Sequence, residues 1–146
     1  MNRRKTFVLF VGFLAMILAT AACASSGAEQ NTTAADSAKN SDGYTDITVD
    51  QLNQMMESKD FTLVNVHIPY EGDLPNTDLS IPYNDLESHL DHLPEDKNAP
   101  LVLYCRSGSM STQAAETLVD LGYTNIMEVD GGMNAWRSAG YDLLIE

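Results

Sequence analysis

Cys105 is the residue of this sequence best placed to do chemistry. It ends the apolar run "APLVLYC", which is typical of a strand buried on both faces of a parallel sheet, and ligands bind at the carboxyl ends of such strands. Ser107, Gly108 and Ser109 then require a sharp turn before a helix that begins near Ser111. A tight loop opening into a helix directs several N–H groups at one point, which suits an anion and lowers a nearby thiol pKa. The segment predicts a nucleophilic thiolate, and the simpler alternative is an inert core cysteine.

The elements that position this loop alternate between strands and helices from Tyr44 onward. Apolar runs indicate strands at 45–48, 61–67, 99–105 and 125–132, and helical spacing indicates helices at 50–59, 84–94, 111–122 and 133–140. Asp50 and Asn84 are the candidate N-caps of the first two helices, and 68–83 has the composition of a loop. This order predicts an α/β domain with a central, mostly parallel sheet flanked by helices.

The amino terminus has the pattern of an export signal. Basic residues at positions 3–5 precede 13 apolar residues, Phe7–Ala19, which is too short for a membrane span of about 20 residues. Small residues ending at Cys23 resemble the lipobox of bacterial lipoproteins, although Thr20 stands where that motif usually has Leu. The resemblance implies a signal peptide at 1–22 and a lipidated Cys23; the alternatives are an uncleaved anchor helix or an ordinary secretory signal.

Residues 23–43 are small and polar, which predicts a flexible tether that leads to a folded domain at 44–146. We therefore expect an exported domain held at the cell membrane, outside the cytoplasm. Cleavage before Cys23 would leave 21 acidic residues against five basic ones, a net charge of −16, which argues against nucleic-acid binding. Lipidation of Cys23 would leave Cys105 without an intramolecular disulfide partner, whereas an unmodified Cys23 could form a bridge with it.

Several segments resemble single-domain rhodaneses. "YCRSGSMS" is similar to their active-site loop C-R-S-G-x-R-S, "LVNVH" to their D-V-R strand, and "GYTNIMEVDGGMNAWRSAGYDL" to their G-G-x-x-A-W tail. The resemblance implies a rhodanese-like sulfurtransferase that needs no cofactor and no metal. Cys105 would take sulfane sulfur from a donor such as thiosulfate and pass it to a thiol or cyanide-like acceptor. The implied substrate-binding residues are Arg106, Ser107, Gly108, Ser109, Met110 and Ser111, together with His67.

Departures from the family pattern bear on the donor. Met110 stands where many single-domain rhodaneses have Arg, and Asn65 and His67 replace the Asp and Arg of D-V-R. Fewer positive charges predict weak binding of thiosulfate, a dianion, and favour a less charged persulfide or polysulfide donor. His67 ends its strand, so we expect either a proton donor facing Cys105 or a hydrogen-bonded structural histidine.

Other classes fit less well. A cysteine phosphatase needs Arg where Ser111 stands, and tyrosine phosphatases have His at the position of Tyr104. A thiol–disulfide oxidoreductase usually needs a second cysteine three residues after the first, where this chain has Gly108. His89 and His92 are typical of a solvated helix face rather than a metal site. A non-catalytic module that binds sulfane sulfur or senses redox state remains the alternative to an enzyme.

Overall fold

Five parallel strands form the sheet that carries Cys105. A computed structural model describes residues 38–145. The strands are β1 (Thr45–Ile47), β2 (Thr62–Asn65), β3 (Leu79–Ser80), β4 (Leu101–Tyr104) and β5 (Ile126–Val129), in the order β1-β5-β4-β2-β3. The helices are α1 (Val49–Met56), α2 (Ser109–Asp120) and α3 (Gly132–Ser138), with a 3₁₀ segment at Leu86–His92. The predicted α/β fold with a mostly parallel sheet is confirmed.

The central strand β4 is buried on both faces, as its continuous apolar sequence predicts. Leu103 and Cys105 pack in the layer that contains α2 and the 3₁₀ segment. Val102 and Tyr104 point the opposite way, into the layer that contains α1 and α3. Successive side chains of a strand alternate between faces, so β4 contributes to both cores and fixes where its carboxyl end, and therefore Cys105, lies.

The first two helical segments differ from their sequence predictions. The N-cap of α1 is Thr48 rather than Asp50, because Thr48 and Gln51 form a reciprocal capping box. The predicted helix at 84–94 is a shorter 3₁₀ segment, and Asn84 does not cap it. The Asp85 carbonyl accepts the Ser88 N–H, three residues on, as in a 3₁₀ turn, and it also contacts the His89 ring at 2.8 Å. His89 has a non-helical backbone, with φ −122° and ψ 20°, which kinks the segment.

The segment at 68–83, predicted to be a loop throughout, contains the edge strand β3 and is tied to the sheet by buried polar groups. Asn65 donates to the carbonyl of Gly72 at 3.0 Å and to Asp73 at 2.8 Å. The Tyr104 hydroxyl donates to Asp73 at 3.0 Å and accepts the Leu74 N–H at 3.0 Å. Asn65 therefore anchors the chain that follows β2.

None of the helices within residues 38–145 is long and apolar enough to cross a membrane. The predicted signal peptide, the lipidation of Cys23 and most of the predicted tether lie outside the described residues.

Candidate active site

Cys105 follows the carboxyl end of β4 and lies inside a tight turn of the backbone. Within residues 38–145 it has no disulfide partner, and it is only 1% exposed. The Gly108 N–H donates to its sulfur at 3.1 Å, and the Ser111 hydroxyl lies 3.4 Å from the same atom. Gly108 has φ +96° and is the N-cap of α2, which begins at Ser109, two residues before the predicted start. The positive φ, which suits glycine, reverses the chain so that the loop closes around the sulfur.

The surroundings of Cys105 favour its thiolate form. Burial raises the pKa of the thiol, but the Ser111 hydroxyl and the nearby backbone N–H groups of Ser111, Ser107 and Met110 together lower it by more. The net pKa therefore lies below the ordinary value for cysteine, which increases the fraction of the nucleophilic form.

The turn at Gly131 and Gly132 holds the loop from the other side. The first N–H groups of α3 donate to loop carbonyls, Met133 to Cys105 at 2.9 Å and Asn134 to Arg106 at 3.0 Å. Gly132 has φ +49°, and a Cβ atom there would lie 2.0 Å from the Cys105 carbonyl oxygen. Gly132 therefore permits a close backbone approach that fixes the position of the nucleophile.

Glu128 is a site residue that the sequence reasoning missed. It lies on β5, is 2% exposed and accepts a hydrogen bond from the Ser111 hydroxyl. Burial raises the pKa of Glu128 to about 7, with smaller contributions from the Asp130 and Asp46 carboxylates, against the lowering effect of the Ser111 hydrogen bond. The signal available in the sequence was a single acidic residue inside the apolar strand "IMEV".

Comparison with known proteins shows which family contains this chain. Residues 48–139 match the rhodanese-like domain family. The chain belongs to that family. It is 30% identical over 94 residues to a sulfurtransferase of Allochromatium vinosum, covering 62% of this chain and 85% of the relative. It is 31% identical over 96 residues to the thiosulfate sulfurtransferase GlpE of Shewanella oneidensis, covering 64% and 92%. A rhodanese-like domain protein of Staphylococcus aureus has the same fold, with a TM-score of 0.58 at 32% identity over 69% of this chain and 97% of that one.

The basic residue of this rhodanese-like loop is already paired. Arg106 is half-exposed and donates to one carboxylate oxygen of Glu71 at 2.9 Å. The other Glu71 oxygen lies 3.5 Å from Nε2 of His67. The three side chains form a continuous group at the carboxyl ends of β2 and β4, which meet at one edge of the sheet.

His67 is 4% exposed, and within residues 38–145 neither of its ring nitrogens meets a hydrogen-bond partner. The simpler expectation, a hydrogen-bonded strand-end histidine, stays a prediction, since the His67 backbone N–H donates to Oδ1 of Asn65 at 3.0 Å and the ring lies beside Glu71. A role for His67 toward substrate stays a prediction, as does the part assigned to each loop residue.

The remaining loop side chains differ in exposure. Ser107 and Ser109 are exposed, whereas Met110 is half-buried and packs against the core layer that contains Cys105. At the position that carries Arg in many single-domain rhodaneses, this chain therefore has an apolar side chain that packs against the core.

Proposed function

We propose that Cys105 carries sulfane sulfur as a persulfide between a donor and a thiophilic acceptor. The observation that carries the proposal is the convergence of hydrogen-bond donors on a buried thiol with a lowered pKa. The thiolate attacks the outer sulfur of the donor, an S–S bond forms as the donor's S–S bond breaks, and the donor leaves with that electron pair. The acceptor then attacks the outer sulfur of the persulfide and regenerates the Cys105 thiolate.

Two of the similar proteins, from Allochromatium vinosum and Shewanella oneidensis, are named sulfurtransferases, which supports this chemistry. The thiol is almost fully buried in a short loop, a setting that suits transfer of a single atom. Amides directed at the sulfur would stabilise the negative charge of the persulfide as they do that of the thiolate. Some rhodanese-like domains do not catalyse, so a sulfur-binding or redox-sensing module is the competing function.

The preferred donor is a persulfide or polysulfide rather than thiosulfate. The one positive side chain of the Cys105 loop, Arg106, is paired with Glu71, and Met110 adds no charge. The domain as a whole is strongly acidic, so a dianion meets an unfavourable field without a free cation in the loop to offset it.

Steady-state turnover with excess donor and acceptor tests both the function and the donor. Met110→Arg should lower KM for thiosulfate by roughly threefold to tenfold, because one positive charge is added near a dianion. Its kinetics with cysteamine persulfide, which carries an ammonium group and no carboxylate, should change little, and Met110→Leu should match the wild type with both donors. Cys105→Ser should show no turnover with either. An unchanged KM in Met110→Arg would contradict the charge argument, and uptake of sulfur without turnover in the wild type would favour the binding module.

We also propose that the domain is exported and lipid-anchored through Cys23 after removal of residues 1–22. The composition of the amino terminus supports this. Intact mass of the protein extracted from membranes should correspond to a chain that begins at Cys23 and carries a diacylglyceryl group. Cys23→Ala should lack that mass. A wild-type chain without lipid would contradict the proposal.

A further inference from the structure

The Ser111 hydroxyl lies between the Cys105 thiol and the Glu128 carboxyl. Its oxygen is 3.4 Å from the Cys105 sulfur, 3.0 Å from the Gly108 carbonyl oxygen, and hydrogen bonded to Oε1 of Glu128. A serine hydroxyl has one proton and cannot donate to three acceptors at once. The protonation state of Glu128 therefore decides which of these acceptors receives the Ser111 proton.

The two states of Glu128 have opposite effects on the thiol. An ionised carboxylate can only accept, so it takes the Ser111 proton and leaves the oxygen lone pairs of Ser111 facing the sulfur. A protonated carboxyl donates its own O–H to Ser111, which frees the Ser111 proton for the two remaining acceptors, the Gly108 carbonyl and the Cys105 sulfur. The sulfur competes for this proton once it is a charged thiolate, because hydrogen bonds to ionised acceptors are the stronger ones. Ionised Glu128 thus opposes the Cys105 thiolate, both by withdrawing a hydrogen bond and as a like charge. Glu128 and Cys105 each release one proton to solvent when they ionise, and the Ser111 proton only changes its acceptor.

The elements packed around Glu128 keep its protonation state variable near neutral pH. On β1, Asp46 pairs with it in register, and Asp130 lies two residues further along the chain, directly after β5 ends. On β4 its register partner is Leu103, which does not titrate. From the loop side, a Cβ atom built on Gly108 would lie 3.7 Å from Oε1, so the carboxyl is directly against the Cys105 loop. The titratable groups that face Glu128 are therefore two carboxylates and, through Ser111, the thiol itself.

We propose that Glu128 is a positioning residue that controls, through the Ser111 hydroxyl, how readily Cys105 ionises. Cys105 ionises more readily when Glu128 holds its proton. The purpose of this control rests on the proposed function, but the coupling between the two titrations does not require sulfur transfer.

The test is the titration of Cys105 in the intact protein, with EDTA present to exclude cations from the carboxylates. Thiolate absorbance at about 240 nm is recorded as the wild-type signal minus that of Cys105→Ser, so Cys23 cancels. Glu128→Gln places an amide that can donate to Ser111 at every pH. In the wild type, Glu128 is ionised above about pH 7. We expect the Cys105 pKa of Glu128→Gln to lie about one unit below that of the wild type in this range, which is a tenfold change in the ionisation constant of the thiol. An unchanged or raised thiol pKa in Glu128→Gln would overturn the proposal.

A double-mutant cycle separates the hydrogen bond from direct charge repulsion. In the Ser111→Ala background the effect of Glu128→Gln should shrink to about threefold or less, and Ser111→Thr, which keeps a hydroxyl, should retain most of it. Asp130→Asn removes a neighbouring charge but no bond to Ser111, so it should shift the thiol pKa only slightly. An equal effect of Glu128→Gln with and without Ser111 would overturn the role of the hydroxyl. Coupled titrations in a protein that takes up no sulfur would refute the proposed function and leave this inference intact.

Discussion

Gly132→Ala should destabilise the domain by about 4 kcal/mol or more and disrupt the loop that holds Cys105. The new Cβ atom would lie 2.0 Å from the carbonyl oxygen of Cys105, a backbone atom that cannot move without displacing the loop. The residue also has φ +49°, where an L side chain is strained. The hydrogen bond from the Met133 N–H to the same carbonyl would be lost as the two segments separate.

Gly140→Ala is the matched control. It has φ +89° with open space around the Cβ position, so it carries backbone strain alone and should cost about 1 kcal/mol. Urea unfolding of both variants measures the difference. Equal stabilities would show that the backbone near residue 132 can move to accept a Cβ atom without loss of stability. That result would contradict the claim that this turn fixes the nucleophile.

The second prediction concerns the dependence of stability on pH. Folding raises the pKa of Glu128 from 4.5 to about 7, so between these values the folded state binds more protons than the unfolded state. The stability that this proton provides is fully present below about pH 4.5 and is lost as pH rises to about 7. The free energy of unfolding should fall across this range by up to about 3 kcal/mol.

Glu128→Gln should remove most of this slope, because an amide does not titrate. A smaller slope should remain from Asp130, whose pKa is raised by burial and by Asp46. Glu116→Gln, on the exposed surface of α2, should leave the slope unchanged. The measurement is urea unfolding at a series of pH values. A wild-type curve without a decline, or an undiminished decline in Glu128→Gln, would contradict the assigned environment of Glu128.

The same carboxyl bears on the phosphatase alternative. Ser111 occupies the position where a cysteine phosphatase needs Arg, and its hydroxyl is hydrogen bonded to Glu128. A phosphate dianion in this loop would lack a bidentate partner and would lie near an acidic group. A sulfane sulfur atom needs no bidentate partner and carries less charge to be repelled by the carboxyl. The site is therefore more compatible with sulfur transfer than with phosphate transfer.

Features encoded by local sequence were predictable. The apolar run of β4, the Ser/Gly turn and the helix after it are all short-range signals, and together they placed Cys105 at the end of a central strand. The presence of Glu71 and Glu128 in the site was not predictable, because long-range contacts bring them there. Arg106 and Glu71 are 35 residues apart, and Ser111 and Glu128 are 17 apart.

The predicted boundaries were wrong where hydrogen bonds between side chains and the backbone decide the start of an element. The sequence offered Asp50 as a cap, but Thr48 and Gln51 together satisfy two backbone groups and start the helix earlier. The edge strand β3 was missed because two residues carry no periodic signal, and it forms only when β2 is alongside.

The central claim, that Cys105 carries sulfane sulfur, is tested most directly by mass. The purified protein is exposed to glutathione persulfide and, separately, to thiosulfate, and the peptide that contains Cys105 is weighed. We expect a gain of one sulfur, about 32 Da, from the persulfide, a smaller yield from thiosulfate, and no gain in Cys105→Ser. Absence of the added sulfur with both donors, while Cys105 remains free to alkylate, would contradict persulfide chemistry at this site.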